Sequence, residues 1–179
     1  ADKLILQPVA RGYRFITPNF AQTGTGNFLN NIDEPRTIIN DLLQAKPKKA
    51  GAAFLRFLTN TVLGLGGVVD VATPLGLPRH KEDFGQTLGY WGIGGGPYLM
   101  LPLLGPSTAR DFTGRLIDTP LNPTYYYQGD DNLLLSITML DIIHLRSTLL
   151  QAQAIINEQD DPYAFIRNAY IQRRINEIY

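Results

Sequence analysis

The 179-residue chain contains no cysteine, two histidines and one tryptophan, and its 16 Lys and Arg balance 16 Asp and Glu. Without cysteine there is no disulfide, no thiolate metal site and no cysteine nucleophile. Without a basic surplus the chain lacks the field that neutralises phosphates, which argues against nucleic acid as a partner. His80 and His144 have no second histidine or carboxylate at the HExxH spacing, so no metal centre is expected. There is no GxSxG elbow, and Ser107 and Thr108 stand where a helix start explains them as caps. The glycine-rich "GLGGVVD" lacks both the preceding buried strand of a dinucleotide fingerprint and the Lys-Ser/Thr that ends a P-loop. The expectation is no cofactor and no metal, with a serine esterase or phospholipase left open but without an identified nucleophile.

Charge is also missing from Phe84 through Ala109, a stretch of 26 residues that contains seven glycines and three prolines. About 20 apolar residues suffice to cross a bilayer. An interior proline, however, costs a helix roughly 3 kcal/mol and each glycine about 1 kcal/mol relative to alanine. The stretch therefore reads as a bent apolar hairpin within one leaflet, its freed peptide groups satisfied by protein or by a water-lined cavity. Phe84, Leu88, Trp91, Pro97, Tyr98, Pro102 and Pro106 are expected in the membrane. Asp83, Arg110 and Asp111 are expected where the chain returns to water, the plainer alternative being that such charges pair with one another. Trp91 with Tyr90, and the run from Tyr125 to Tyr127, suit either a core or a membrane interface.

The remaining pattern is helical. One helix is expected from Thr17 to Asn30, then a turn at "GNFLNN", then a short helix over "DEPRTIINDLLQ" capped by Asp33 with Pro35 in its first turn. Phe54, Phe57, Leu58, Thr61, Val62 and Leu65 share one face of the next helix, with Arg56 and Asn60 on another. The longest helix spans about Asp130 to Asn157 and carries one polar stripe, Asp141, His144, Thr148 and Gln151. A last helix starts at Asp161-Pro162, with Tyr163, Ile166, Tyr170 and Arg174 along one side. No convincing alternating strand appears, so the expected fold is all-α, one domain over residues 1–179.

In chain order, "PVARGYR", "GNFLNNIDEP", "RFLTNTVLGLGGVVDVA", "FGQTLGYWGIGGGPYLMLPLLGPSTARD" and "DPYAFIRNAYIQRR" resemble the MlaA (VacJ) family of outer-membrane lipoproteins, from about Val9 to Arg174. The resemblance implies a ring-like arrangement of helices in the periplasmic leaflet of a Gram-negative-type outer membrane, without enzymatic activity. It implies work with a trimeric outer-membrane porin and a soluble periplasmic lipid carrier of the MlaC kind, removing mislocalised phospholipid from the outer leaflet. It also implies that the sequence is a mature region without the family's signal and acylated cysteine, and that a further C-terminal tail is expected.

On this resemblance the stripe of Asp141, His144, Thr148 and Gln151 is a candidate channel wall, a dry helix interface being the alternative. Asn27 and Phe28 fall in a family motif expected to control lipid flow, with Phe28 packed against the apolar excursion that begins at Gly64. Gly64, Gly66 and Gly67 are read as a hinge or as a close backbone approach, and Asp70 as an anchor for the end of that excursion. A structural adaptor between porins and periplasmic machinery, and a lipid hydrolase whose nucleophile the sequence does not reveal, stand as the other readings.

Overall fold

Four helices begin where the chain supplies a side-chain cap. The computed structural model describes residues 6–101, 105–126 and 129–178. It contains α1 (Gln7–Ile16), α2 (Asn19–Leu43), α3 (Pro47–Val62), α4 (Phe84–Tyr90), α5 (Ala109–Asp118), α6 (Asp131–Asn157) and α7 (Pro162–Ile178). Asp83 accepts from the Gln86 amide to open α4, Thr108 from Asp111 to open α5, and Asp130 from Asn132 to open α6. Asp161 does the same for α7 through the Ala164 amide, 2.9 Å away. Each bond satisfies an amide that a helix start leaves without an internal partner.

Two features differ from the sequence expectation. The chain from Asn19 to Leu43 is one helix with Pro35 inside it, so "GNFLNN" is helix and not a turn. Proline there removes one helical hydrogen bond, but side chains on either side hold the helix to its neighbours. Asn27 donates to the Val68 carbonyl at 3.1 Å, Asn31 to the Thr61 hydroxyl at 2.9 Å, and Glu34 accepts from Arg56 at 3.0 Å. The second difference is a two-stranded antiparallel ladder within the uncharged stretch, β1 (Tyr98–Leu101) with β2 (Gly105–Thr108). Its register pairs Tyr98 with Thr108 and Leu101 with Gly105. Pairing the strands satisfies the peptide groups that glycine and proline exclude from a helix. Pro102 lies outside the described residues. The fold is otherwise helical, with short 3-10 turns at Thr119–Leu121 and Pro123–Tyr126 in the expected loop.

The helices close a circuit. α2 packs on α3, α4 and α6; α4 packs on α5 and α7; and α6 packs on α1 and α7, so α2, α4, α7 and α6 meet in a closed sequence of contacts. The α4–α5 crossing depends on two glycines. A Cβ on Gly114 would collide with the backbone nitrogen of Gly85 and lie 2.7 Å from its Cα. Because the obstacle is backbone, Gly114→Ala is expected to destabilise by about 1–3 kcal/mol or more. Gly12→Ala, where an added Cβ meets nothing within 4 Å, serves as the control in thermal unfolding.

The distribution of polarity is inverted. On α3, Arg56 is 5% exposed and Asn60 is buried beside it, whereas Phe54 is 49% and Val62 is 72% exposed. The buried apolar side chains among the described residues are small or few: Ala10, Ala50, Ala53, Ala72, Tyr170 and Ile178. A water-soluble domain buries its large apolar residues and exposes its charges. This chain exposes Leu135, Met139, Ile142, Leu145 and Leu149 on α6 and Trp91, Ile93 and Met100 along the uncharged stretch.

Candidate functional site

Three ionic clusters replace the usual apolar core. The first joins α2, α3 and the turn after α3. Arg56 donates to Glu34 at 3.0 Å, to Asp70 at 2.8 Å, and to the Thr73 hydroxyl and the Leu77 carbonyl at 2.8 Å each. Burial alone would raise the Asp70 carboxyl, but hydrogen bonds from Thr73 and Arg56 outweigh it and hold its pKa at about 2. Asp70 therefore ties the end of the glycine turn into the interior. Gly67, at φ 96°, leaves no space for a Cβ against the Asn31 side chain, and a Cβ at Gly64 would meet the Val69 carbonyl. Gly66, at φ 71°, has open space around it. Close approach thus accounts for Gly64 and Gly67, and left-handed backbone for Gly66.

The second cluster lies under α4. Asp41 and Gln44 are wholly buried. His80 Nε2 stands 2.7 Å from Asp41, Gln44 donates to Glu82 at 2.9 Å, and Lys46 pairs with Glu82 at 3.1 Å. Asn40 donates to Asp118 at 3.0 Å and accepts from the Thr87 hydroxyl at 2.7 Å.

The third cluster corrects the reading of the boundary charges. Arg110 and Asp111 do not return to water; their side chains are buried and paired at 2.9 Å. Arg174 of α7 reaches both Asp111 at 2.9 Å and Asp83 at 2.7 Å, and the Tyr170 hydroxyl donates to Asp111 at 2.7 Å. Asp83 keeps partial solvent contact. The physical reason is chain reversal: the hairpin brings residue 83 and residues 110–111 together, and α7 supplies the cation that two desolvated carboxylates need. Burial raises Tyr170, and Asp111 adds to this, placing its pKa at about 12; hydrogen bonds from Arg174 and Tyr170 overcome burial to hold Asp111 at about 2.

Between these clusters, α6 faces a mixed-charge surface. Asp141 and Thr148 are exposed, and the Thr148 hydroxyl donates to its own Leu145 carbonyl at 2.7 Å. His144 is half-buried, with Nδ1 3.5 Å from the Tyr13 hydroxyl and its ring seated over Gly26, where an added Cβ would lie 2.8 Å from Nε2. The Gln151 side chain is outside the described residues. Asp141 feels the charges of Asp33, Lys81, His144 and Arg36. Lys81 in turn feels Arg79, Asp33, Arg36 and Asp141. Arg36, Arg79 and Lys81 were not singled out from the sequence, although "PRHK" is a conspicuous basic interruption in the apolar excursion. Only the fold brings it opposite α6.

Phe28 lines an apolar cavity of about 360 Å³ with Phe20, Gly24, Val68 and Leu140. It meets the excursion at Val68, in the glycine turn, while Asn27 bonds the Val68 carbonyl. Of the residues expected in the membrane, Trp91 is half-exposed, donates from its indole to the Leu43 carbonyl at 3.1 Å and meets Phe84 edge to face. Leu88 and Pro106 are half-buried, and Pro97 is exposed. Tyr98 is half-buried with its ring edge against Tyr163 and Tyr170. Of the tyrosine run, Tyr125 and Tyr126 are exposed, and Tyr127 lies outside the described residues.

Comparison with known proteins gives a consistent result. The family model described as MlaA lipoprotein matches residues 1–177. The intermembrane phospholipid transport system lipoprotein MlaA of Escherichia coli K12 is 36% identical over 179 residues, covering 96% of this chain and 69% of its own. An uncharacterised protein of Rickettsia felis is 38% identical over 175 residues, covering 97% of this chain and 69% of its own. A solved structure described as "Structural basis for maintenance of bacterial outer membrane lipid asymmetry" superposes with a TM-score of 0.86 at 35% identity, over 99% of this chain and 90% of that one.

Proposed function

Since this chain belongs to the MlaA lipoprotein family, we propose that it serves intermembrane phospholipid transport as a conduit in the outer membrane, with lipid passing a polar surface that includes Asp141 and His144. One observation carries this reading: the interior is ionic, and many of the large apolar side chains lie on the outside. Exposing such an array of leucines, valines and aromatics to water opposes solubility, whereas exposing them to acyl chains does not. A phospholipid leaving a bilayer needs a wet, polar route for its headgroup beside an apolar surface for its tails. The solvent-reached face of α6 supplies the first, and the leucines around it supply the second.

On this reading the segment from Asp131 to Leu150, long and apolar enough to cross a membrane, lies in the bilayer as part of a ring without needing to span it. The uncharged hairpin rests in the periplasmic leaflet. The natural partners are a trimeric porin and a soluble periplasmic lipid carrier, and the outcome is clearance of phospholipid from the outer leaflet. No catalytic step is required. Protein purified in mild detergent is expected to carry phospholipid and a trimeric porin together; porin without lipid would favour the adaptor. Replacing Asp141 or His144 with leucine is expected to slow lipid clearance while leaving the protein folded, as thermal unfolding would report. Unaltered transport in both variants would remove the α6 surface from the path.

A further inference from the structure

The cavity beside Phe28 is walled by three separate pieces of chain. Phe20, Ala21, Gly24 and Phe28 come from α2, Val68 from the glycine turn and Leu140 from α6, around a volume of about 360 Å³. Phe20, Gly24 and Phe28 recur at steps of four, which places them on one side of their helix. Contacts at both edges hold these walls in place. Asn27 donates to the Val68 carbonyl at 3.1 Å, and a Cβ on Gly24 would lie 3.0 Å from Val68 Cγ1, so α2 and the glycine turn already touch. On the other side His144, one turn beyond Leu140, sits over Gly26 with Nε2 2.8 Å from where a Cβ would be. Walls already in contact on either side cannot close the space by a small shift. Among the lining residues Thr25 alone carries a polar side chain. A buried water needs about two to four polar partners, so the space suits hydrocarbon and not water.

We propose that this cavity receives the distal end of one acyl chain of a phospholipid, while the headgroup meets the adjoining face of Asp141 and His144 and the second chain stays against the exposed leucines of α6. Size limits the occupant. Ligand pockets measure roughly 300–1,000 Å³, and this one stands at the low end, with room for the end of one chain and not for two. Continuity identifies it. Phe20 and Val68 line the cavity and are themselves exposed, so the cavity joins the apolar exterior. Leu140 is followed directly by Asp141, and successive residues leave a helix about 100° apart, so a place for hydrocarbon and a polar face stand side by side on α6. A tail seated between α2 and α6 fixes the orientation of its headgroup beside that face. This inference rests on the lipid-conduit reading and adds to it a place for one tail.

Photolabelling tests the proposal on the whole protein, reconstituted in vesicles of phosphatidylethanolamine and phosphatidylglycerol that carry a trace of phosphatidylethanolamine with a diazirine at the end of one acyl chain. Label is mapped by mass spectrometry of peptides. Phe20, Phe28 and Leu140 are expected to carry several-fold more label than Leu145 and Leu149, which are exposed on the same α6. Moving the diazirine to the headgroup should remove the label from Phe28. Ala21→Leu, which takes up part of the space, should bring labelling of Phe28 and Leu140 down to the level of Leu149, with Leu145 and Leu149 labelled as in wild type. If thermal unfolding shows that this variant does not fold, Leu140→Phe serves with Phe28 as the readout, and the wild-type map decides if neither folds. Wild-type labelling of Phe28 in a folded variant, or even labelling of cavity and exterior in wild type, overturns the tail site but leaves the conduit standing. Wild type without label anywhere on α6 instead defeats the conduit itself. Unlabelled phosphatidylethanolamine should displace the probe better than palmitate; equal displacement would make this a fatty-acid pocket and overturn the proposal.

Discussion

Arg174→Met is expected to destabilise the protein by about 3–5 kcal/mol, the range for removing one partner from a buried ionic group. The guanidinium is 7% exposed and serves Asp83 and Asp111 simultaneously, so its loss removes the salt-bridge partner of Asp83 and leaves the nearly buried Asp111 with Arg110 and Tyr170 alone. These contacts tie α7 to the start of α4 and the start of α5, and Tyr170 shares Asp111 with them. Proteolysis should therefore begin in α7 in the variant, with thermal unfolding in detergent reporting the loss. Arg174→Lys should recover only part of it, since an ammonium cannot grip two carboxylates with a planar fork.

The same cluster sets a pH window. Asp111 is depressed from 3.8 to about 2, so its contribution is complete above the unfolded value and disappears as pH falls through about 2. Tyr170 is raised from 10.0 to about 12, so its contribution is complete below 10.0 and disappears as pH rises through about 12. Docking of α7 should be insensitive to these two groups between roughly pH 5 and 9 and weaken outside that range. Tyr170→Phe should flatten the alkaline limb and leave the acidic limb in place; an unchanged alkaline limb would assign it to another group.

Arg56→Met should cost about as much, again about 3–5 kcal/mol, but with a distinct signature. It removes the donor shared by Glu34, Asp70, Thr73 and the Leu77 carbonyl, and so frees the glycine turn from α2 and α3. Burial already raises the Glu34 carboxyl, with Arg56 working against it. In the variant Glu34 rises further and takes up a proton more readily. A raised carboxyl pKa favours the folded state at low pH and loses that advantage as pH rises, so the defect should be larger at pH 8 than at pH 5. A defect of equal size at both values would show that Glu34 stays ionised without its arginine.

Local signals made much of the helical skeleton legible. Thr108 and Asp161 were identifiable as caps from their neighbours, and the uninterrupted run after Asp130 foretold α6. Pro35 and the paired asparagines misled, because the bonds that keep α2 continuous come from Thr61, Val68 and Arg56, distant in sequence. The short ladder at Tyr98 was hidden because glycine and proline mask alternation and only a partner strand defines it. The polar stripe on α6 was visible by spacing, but the seating of His144 against Tyr13 and Gly26 was not. No periodicity on one helix reports what faces it from another segment.

By itself the sequence determined the secondary structure of the capped helices, the exclusion of a straight span over the uncharged stretch, and the family, because caps, proline costs and ordered motifs are local properties. Only the tertiary structure decided the direction of each amphipathic face. An amphipathic helix has the same pattern whether its apolar side meets a core or a lipid. Which side is buried follows from where Arg56, Asp111 and Arg174 find their partners, and those partners are fixed by chain reversal and helix crossing.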